Sequence, residues 1–466
     1  MFAPASSAST ESGLQAHPLF FNSLRTRLTS GSWCELLNRP GTIATLCFSL
    51  FPAGSRQCPR LHDVQIEQGC SASGVLISLP ICGWLLTSPL LFPGSSPSRG
   101  LFLRLGHSKE SPQAKPAASS IPAKPIRPDT GISLGIGLTN ECNLKCAFCY
   151  RDPTRADRLS LDQIKSVMEG LPVRSVNLGT GENGMHPEFK PILAYLSTRR
   201  VKLTITSNGY SVAVLEDQDL QAFHDIEFSL DYPTQAEQDA QRGSGNWELI
   251  HQQAERCVRL GVPVTIIAVM MKANYSRLAD VARVARRFGA PLRVNVYQAV
   301  RSDLYALTYE EYWQGFRRLF DSTDVVAIGE PLVRAMAGLP PLEGGCGVST
   351  VRITPRATTQ PCVYWPASGE PLSDLLLAGL KILNSAPFEQ ARTLPGACQT
   401  CEFRDSCHGG CAGRRRLQGA LSQPDSYCPI IRGERPRLEI RMAANRDLPK
   451  VSSSCTTVVI ARDSDS

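Results

Sequence analysis

The sequence predicts an α/β fold, a partial (β/α)6 TIM-like barrel over residues 131–325 followed by a small cysteine-rich domain over 340–435. Three observations predict it. Strand-like and helix-like apolar periods alternate from residue 132 onward, which argues for a parallel sheet with right-handed crossovers. Six such units fit before residue 325, two short of the eight that close a full barrel. Ten of the 17 cysteines gather in two blocks, 142–149 and 346–428.

The elements follow in order. Residues 132–138 alternate apolar side chains with glycine or serine and read as a strand. Residues 160–171 read as an amphipathic helix with Ile164, Val167, Met168 and Leu171 on one face and a Ser160/Gln163 capping box. A strand at 173–178 leads to a helix at 187–197 with Pro187 in its first turn. The strand 201–206 ends in the turn signal Ser207-Asn208-Gly209. A helix at 215–223, a strand at 226–230 and a helix at 247–260 closed by Gly261 come next. Strand 264–270, helix 276–288, strand 292–297 and helix 309–320 complete the six units.

Residues 1–130 read differently. They are rich in Ser, Pro and Gly, poor in acids and without sustained period, so they are expected to be a disordered extension. After Met1 the next methionine is Met168, so part of this stretch reads as an over-extended gene start. Residues 74–93 are apolar for about one bilayer span, but Pro80, Pro89 and Pro93 interrupt them and no membrane partner is expected. No secretory signal is legible at the start. Residues 436–466 read as a polar tail.

Composition is that of an ordinary globular protein, 42% hydrophobic and 20% charged, and a formal charge of +7 does not argue for a nucleic-acid partner. A chain of 466 residues has ample apolar material for a core, so its cysteines need not be a disulfide scaffold. Spacings of two to five residues suit metal sites instead.

The first block runs Cys142-x3-Cys146-x2-Cys149 straight after the first strand, at the sheet end where such folds place their chemistry. Positions i, i+4 and i+7 also share a helix face, so three small core residues are the plain alternative. Three thiolates are one short of a closed four-ligand site and would leave one iron open. The second block is Cys346-x15-Cys362, then Cys398-x2-Cys401-x5-Cys407-x3-Cys411 and on to Cys428. Four-thiolate zinc is its alternative reading.

The first block, with Phe148 before its last cysteine, resembles the radical S-adenosylmethionine (SAM) superfamily. The second resembles the SPASM extension found on members that modify peptides and proteins. The resemblance implies a SAM-binding 4Fe-4S cluster on Cys142, Cys146 and Cys149, and two auxiliary iron–sulfur clusters. Cys398, Cys401, Cys407 and Cys428 would hold one; Cys346, Cys362 and Cys411 would hold the other, with an open iron or a non-cysteine fourth ligand. It also implies contacts to S-adenosyl-L-methionine from Gly179, Gly181, Glu182, Asn208, Ser229 and Asp231, with weaker candidates in Arg242 and Asn274. Glu182 would take the methionine ammonium. The family's Gly-Gly-Glu-Pro is here Gly179-Thr180-Gly181-Glu182-Asn183, with Thr180 where the second glycine usually falls and Asn183 for the proline. Ala357 stands for a glycine usual five residues before the second module cysteine.

The implied activity is an oxidoreductase or maturase that cleaves SAM reductively to a 5′-deoxyadenosyl radical and takes hydrogen from a peptide or protein. A flavodoxin or ferredoxin-type donor and a cytoplasmic location go with it. Val363 after Cys362 counts against sulfatase maturation, where an acid is usual, and residues 1–130 show no leader-binding winged helix. A haem- or cofactor-maturing enzyme is the alternative, and an electron-transfer or metal-binding protein without SAM cleavage is the alternative from another class. Arg414, Arg415 and Arg416 read as a solvated face, with a face toward an acidic redox partner or acidic peptide as the alternative, and Cys257 reads as helix packing.

Overall fold

The computed structural model describes residues 131–342, 347–365, 369–444 and 457–462, together with the strand backbones at 69–71, 74–81, 84–91 and 105–107. Contacts divide the chain into a unit at 1–119 and a unit at 120–466.

The first unit holds a four-stranded antiparallel sheet of β1 (Gly69–Ser71), β2 (Gly74–Ile81), β3 (Trp84–Leu91) and β4 (Leu105–His107) in that order. These strands stand within the stretch expected to be largely disordered, the rest of which lies outside the described residues. Two apolar runs stand two residues apart, with Ile81 opposite Trp84, which is hairpin spacing. The prolines that disfavour a helix here are placed in paired strands, Pro80 opposite Leu85 and Pro89 opposite Leu76. Among the described residues no helix is long and apolar enough to cross a membrane.

The second unit is built on β5 (Ile132–Ile136), β6 (Val173–Leu178), β7 (Lys202–Ser207), β8 (Asp225–Ser229), β9 (Val264–Met270) and β10 (Leu292–Val296). Each pairs in parallel with the next, as the alternation predicts. Period two sorts their side chains. Ile132, Leu134, Ile136, Val176, Ile205 and Phe228 join the core with helix residues such as Ile164, Ile192 and Ile250. The other face is polar and internally bonded: Ser175 donates to Ser133 at 2.9 Å, Asn177 to Thr204 at 2.9 Å and Thr265 to Asp225 at 3.0 Å.

The half-barrel does not end at its sixth strand. Among the described residues the sheet has eleven strands, with β11 (Val325–Ile328), β12 (Thr350–Ile353), β13 (Thr358–Gln360), β14 (Glu370–Pro371) and β15 (Thr457–Ile460) completing the order β11-β15-β10-β9-β8-β7-β6-β5-β12-β13-β14. The cysteine-rich region therefore enters the sheet through β12, parallel to β5 with Thr350 opposite Ser133. The expected polar tail is corrected as well. Thr457–Ile460 is a strand inserted antiparallel between β10 and β11, and all four of its residues are buried. Its run Thr-Val-Val-Ile is β-branched throughout, the composition of a strand covered on both faces.

Two helices bear on the site. Leu161–Gly170 forms with the Ser160/Gln163 capping box that the sequence predicts. Gln235–Arg242, which periodicity did not reveal, delivers Gln238 and Arg242 to the sheet mouth.

Candidate functional site

The first cysteine block lies on the loop leaving β5. Arg151 is buried inside that loop and shapes it, donating to the carbonyls of Asn140 at 3.0 Å and Leu144 at 2.6 Å. The three thiols are half-buried. Cys142 Sγ accepts from Leu144 N at 3.4 Å and from Asn208 Nδ2 at 3.5 Å. Cys146 Sγ sits 3.8 Å from the carbonyl oxygen of Arg242. Burial pushes the Cys142 thiol up to about 11 and the Cys146 thiol upward too. Left alone they hold their protons; a bound metal would have to displace them.

The loop after β6 fits against this one. Gly181 has φ +65°, and a Cβ there would lie 2.3 Å from the Thr139 carbonyl oxygen and 2.6 Å from that of Glu141. The glycine thus lets the backbone close against the chain's own cysteine loop. Gly179 N donates to Ile136 O at 2.9 Å and Glu182 N to Glu141 O at 2.7 Å, which zips the two strand ends together.

Glu182 is buried, with Ser207 Oγ donating at 2.5 Å, Ser211 N at 2.8 Å and the Ser211 hydroxyl to one oxygen, and Asn208 N at 2.9 Å to the other. Burial pushes its pKa up, against the pull of these donors. The carboxylate therefore brackets the end of β7, where a contact to the methionine ammonium was expected. Ser207 and Ser211, which make the bracket, were not singled out by the sequence. What the bracket holds is Asn208, whose Nδ2 donates to Asn143 Oδ1 at 2.9 Å beside Cys142.

The end of β8 is similarly committed. Asp231 is fully buried, taking Arg242 Nε at 2.7 Å on one oxygen and Val269 N at 2.8 Å on the other. Arg242 is thereby aimed over the Phe148 ring, 5.3 Å from its centroid. Asn274 closes β9 by accepting from Met271 N at 2.7 Å and donating to the Asp231 and Val269 carbonyls. Ser229 is half-buried at its strand end, its carbonyl accepting from Gln238 Nε2 at 3.2 Å. Cys142, Cys146, Glu182, Asn208 and Asp231 thus meet around one loop, Asp231 by way of Arg242.

In the second block, Cys398, Cys401, Cys407 and Cys428 line one pocket with Leu332, Met336, Phe403 and Ile430. Burial pushes the Cys398 thiol up to about 11 and that of Cys407 higher. Cys362 and Cys411 converge elsewhere: a Cβ on Gly413 would lie 3.4 Å from one sulfur and 3.7 Å from the other. Cys346 lies outside the described residues. Among the described residues no three His, Cys, Asp or Glu side chains converge on a single ion. An iron–sulfur cluster does not ask for that, since each thiolate binds a different iron, and donor sets made of thiols alone suit it.

The arginine run is a correction. Arg414 and Arg415 are buried. Arg414 pairs with Asp425 and Glu330, while Arg415 donates to the carbonyls of Leu421 and Thr393. Arg416 lies over the Trp365 ring at 5.9 Å. Buried carbonyls and carboxylates are partners that a charge count cannot display. Cys257 is buried in the main core, as its helical position predicts.

A family model, Radical SAM superfamily, matches residues 136–285. Over 355 residues the chain is 29% identical to mycofactocin maturase MftC of Mycobacterium tuberculosis, covering 69% of this chain and 88% of that protein. It is 24% identical to PqqA peptide cyclase of Gluconobacter oxydans, covering 65% of this chain and 92% of that protein. In fold it is similar to native anSMEcpe with bound AdoMet, with a TM-score of 0.51 at 16% identity over 64% of this chain and 95% of that one. The match begins in β5 and takes in the three-cysteine loop and the strand ends that bracket it, so residues 136–285 carry the likeness to the radical SAM superfamily.

Proposed function

We propose that this enzyme uses S-adenosyl-L-methionine to modify a peptide or protein oxidatively. The observation that carries the reading is the half-buried trio Cys142, Cys146 and Cys149 on the loop at the mouth of a parallel sheet, with Asn208 bonded to that loop. Cys142, Cys146 and Cys149 would hold a 4Fe-4S cluster, which would supply the electron for reductive cleavage of a carbon–sulfur bond of SAM and so the radical that takes hydrogen from the substrate.

The residues of the chain have other tasks. Arg151 fixes the loop from inside, and Glu182 fixes Asn208 from below. Gly179, Gly181, Asn208 and Ser229 are the positions offered to SAM. Asp231 acts through Arg242, which closes one side of the mouth beside Cys146. In the module, Cys398, Cys401, Cys407 and Cys428 hold one auxiliary cluster. Cys362 and Cys411, with Cys346, hold the other, its fourth position open or taken by a non-cysteine ligand. The names of the two relatives, a maturase and a peptide cyclase, support a peptide substrate. A flavodoxin or ferredoxin-type donor in the cytoplasm completes the proposal.

The test is anaerobic reconstitution, an iron count, and an assay for 5′-deoxyadenosine with SAM and a reductant. Replacing Cys142, Cys146 and Cys149 together by Ala should abolish 5′-deoxyadenosine while the module keeps its iron. Iron-free protein, or undiminished turnover in the triple variant, would overturn the reading.

A further inference from the structure

Thr180 is the one residue of the β6 loop that holds a backbone conformation its side chain disfavours. Its φ is 75°, in the left-handed region, and it is β-branched. Strain of this kind persists where surrounding contacts hold it, and it points to a role. The contact here is specific. The Thr180 hydroxyl lies 2.8 Å from the hydroxyl of Tyr150, the residue after Cys149. The Tyr150 ring in turn meets the ring of Tyr364 edge-on, centroids 5.5 Å apart at 80°. Tyr364 N donates to Cys362 Sγ at 3.4 Å. Cys149 and Cys362, in different halves of the fold, are thus joined through two neighbouring residues and one aromatic contact. A glycine at 180 would be unstrained, but it would lose the hydroxyl that fixes Tyr150.

A second tie runs alongside. Arg356, on the turn between β12 and β13, reaches Asp157 at 3.3 Å and Asp152 at 3.5 Å. Those side chains are partly exposed, so this tie is the weaker one.

We propose that Thr180, Tyr150 and Tyr364 form a positioning bridge that couples the catalytic thiol loop to the auxiliary thiols, so that the placement of Cys149 depends on the module at Cys362. The proposal rests on the iron–sulfur reading above. Its test uses the full chain, anaerobically loaded with iron, and two readouts: the electron paramagnetic resonance signal of the reduced protein with and without SAM, and kcat against KM for 5′-deoxyadenosine formation from SAM. Tyr364→Leu should change the SAM-dependent signal and lower kcat about tenfold at unchanged iron content, because small displacements at a reacting centre are costly. Tyr364→Phe keeps the ring edge and should restore both readouts.

Tyr150→Phe and Thr180→Gly each remove the same hydrogen bond without removing a ring, and should each lower kcat about threefold. Thr180→Gly should do so while raising the melting temperature, and the double variant should be no worse than either single one. A purely structural contact predicts the same gain in stability for Thr180→Gly but an unchanged signal and unchanged kcat. That result, or a wild-type signal in iron-loaded Tyr364→Leu, would overturn the bridge. If the wild type, fully loaded with iron, makes no 5′-deoxyadenosine, the parent reading fails; the signals of the variants still report on the bridge.

Discussion

Asp425 grips Arg414 with both carboxylate oxygens, Nε lying 2.8 Å from Oδ1 and Nη2 2.6 Å from Oδ2, in a setting from which water is excluded. The same carboxylate accepts from Cys411 N at 2.8 Å and from Tyr427 N at 3.1 Å, so one side chain sets the backbone of Cys411 and the approach to Cys428. Asp425→Ala would leave the buried Arg414 guanidinium with Glu330 alone and take the acceptor from the Cys411 and Tyr427 amides. The expected loss is about 3–5 kcal/mol of stability, as for other broken buried pairs. Iron bound by the module should fall while that on the Cys142 loop remains. Chemical unfolding and an iron count on the purified variant check both parts.

Asp225 gives the fold a pH dependence. Burial first, and the neighbouring Glu227 charge second, push its pKa well up, while Arg293 and the Thr265 hydroxyl pull the other way. An unfolded Asp titrates near 3.9, so above about pH 4 the unfolded chain releases a proton that the folded one keeps. The unfolded state then binds fewer protons, and stability falls as pH rises until Asp225 has ionised in the fold. Across that range the slope is about 1.4 kcal/mol per pH step of one. Asp225→Asn should flatten this slope and make the protein more stable than wild type at pH 8 but not at pH 4. Urea midpoints across that range decide it; parallel curves for the two proteins would refute it.

Ala357 has φ 55°, in the left-handed region, where a glycine would carry no Cβ penalty. Its amide is bonded to Thr354 O at 3.0 Å and its carbonyl to Leu372 N at 2.8 Å, so the turn cannot relax. The strain is about 1–2 kcal/mol, and glycine returns part of that as chain entropy. Ala357→Gly should therefore stabilise the protein by about 0.5–1 kcal/mol. A higher melting temperature at unchanged iron content is the outcome to look for.

What the sequence revealed was whatever short-range spacing encodes. The six parallel strands and the trio at 142–149 follow from local period and motif, and Cys257 from its place on a helix. What it hid was long-range pairing. Glu182 carries the family's motif, yet its partners Ser207 and Ser211 lie 25 and 29 residues away, and only the fold shows that they occupy the carboxylate. The arginine run 414–416 looks solvated because its acceptors, among them Glu330 at a separation of 84 residues, are invisible in a local window. β15 was hidden differently. Its four residues were a legible β-branched run, but they stand at the end of a polar stretch, and nothing local says that β10 and β11 leave a gap between them.

That gap makes the last prediction. Val458 and Ile460 are fully buried in the main core, and Val459 packs on the opposite face with Val326, Ala443 and Ala461. Thr457 Oγ1 meets Asn295 Oδ1 at 2.5 Å and its carbonyl accepts from Gly329 N at 2.6 Å, so the strand is bonded to both neighbours. Removing residues 445–466 withdraws three apolar side chains worth roughly 1.5–3 kcal/mol each, and uncovers the facing edges of β10 and β11. The truncated protein should lose several kcal/mol and self-associate. Ile460→Thr isolates the packing, since it keeps the strand but buries a hydroxyl, and should cost about 1–3 kcal/mol without association. Denaturant unfolding and light scattering on the two variants separate the contributions. If the truncated chain unfolds at the wild-type midpoint and stays monodisperse, β15 is dispensable to the sheet.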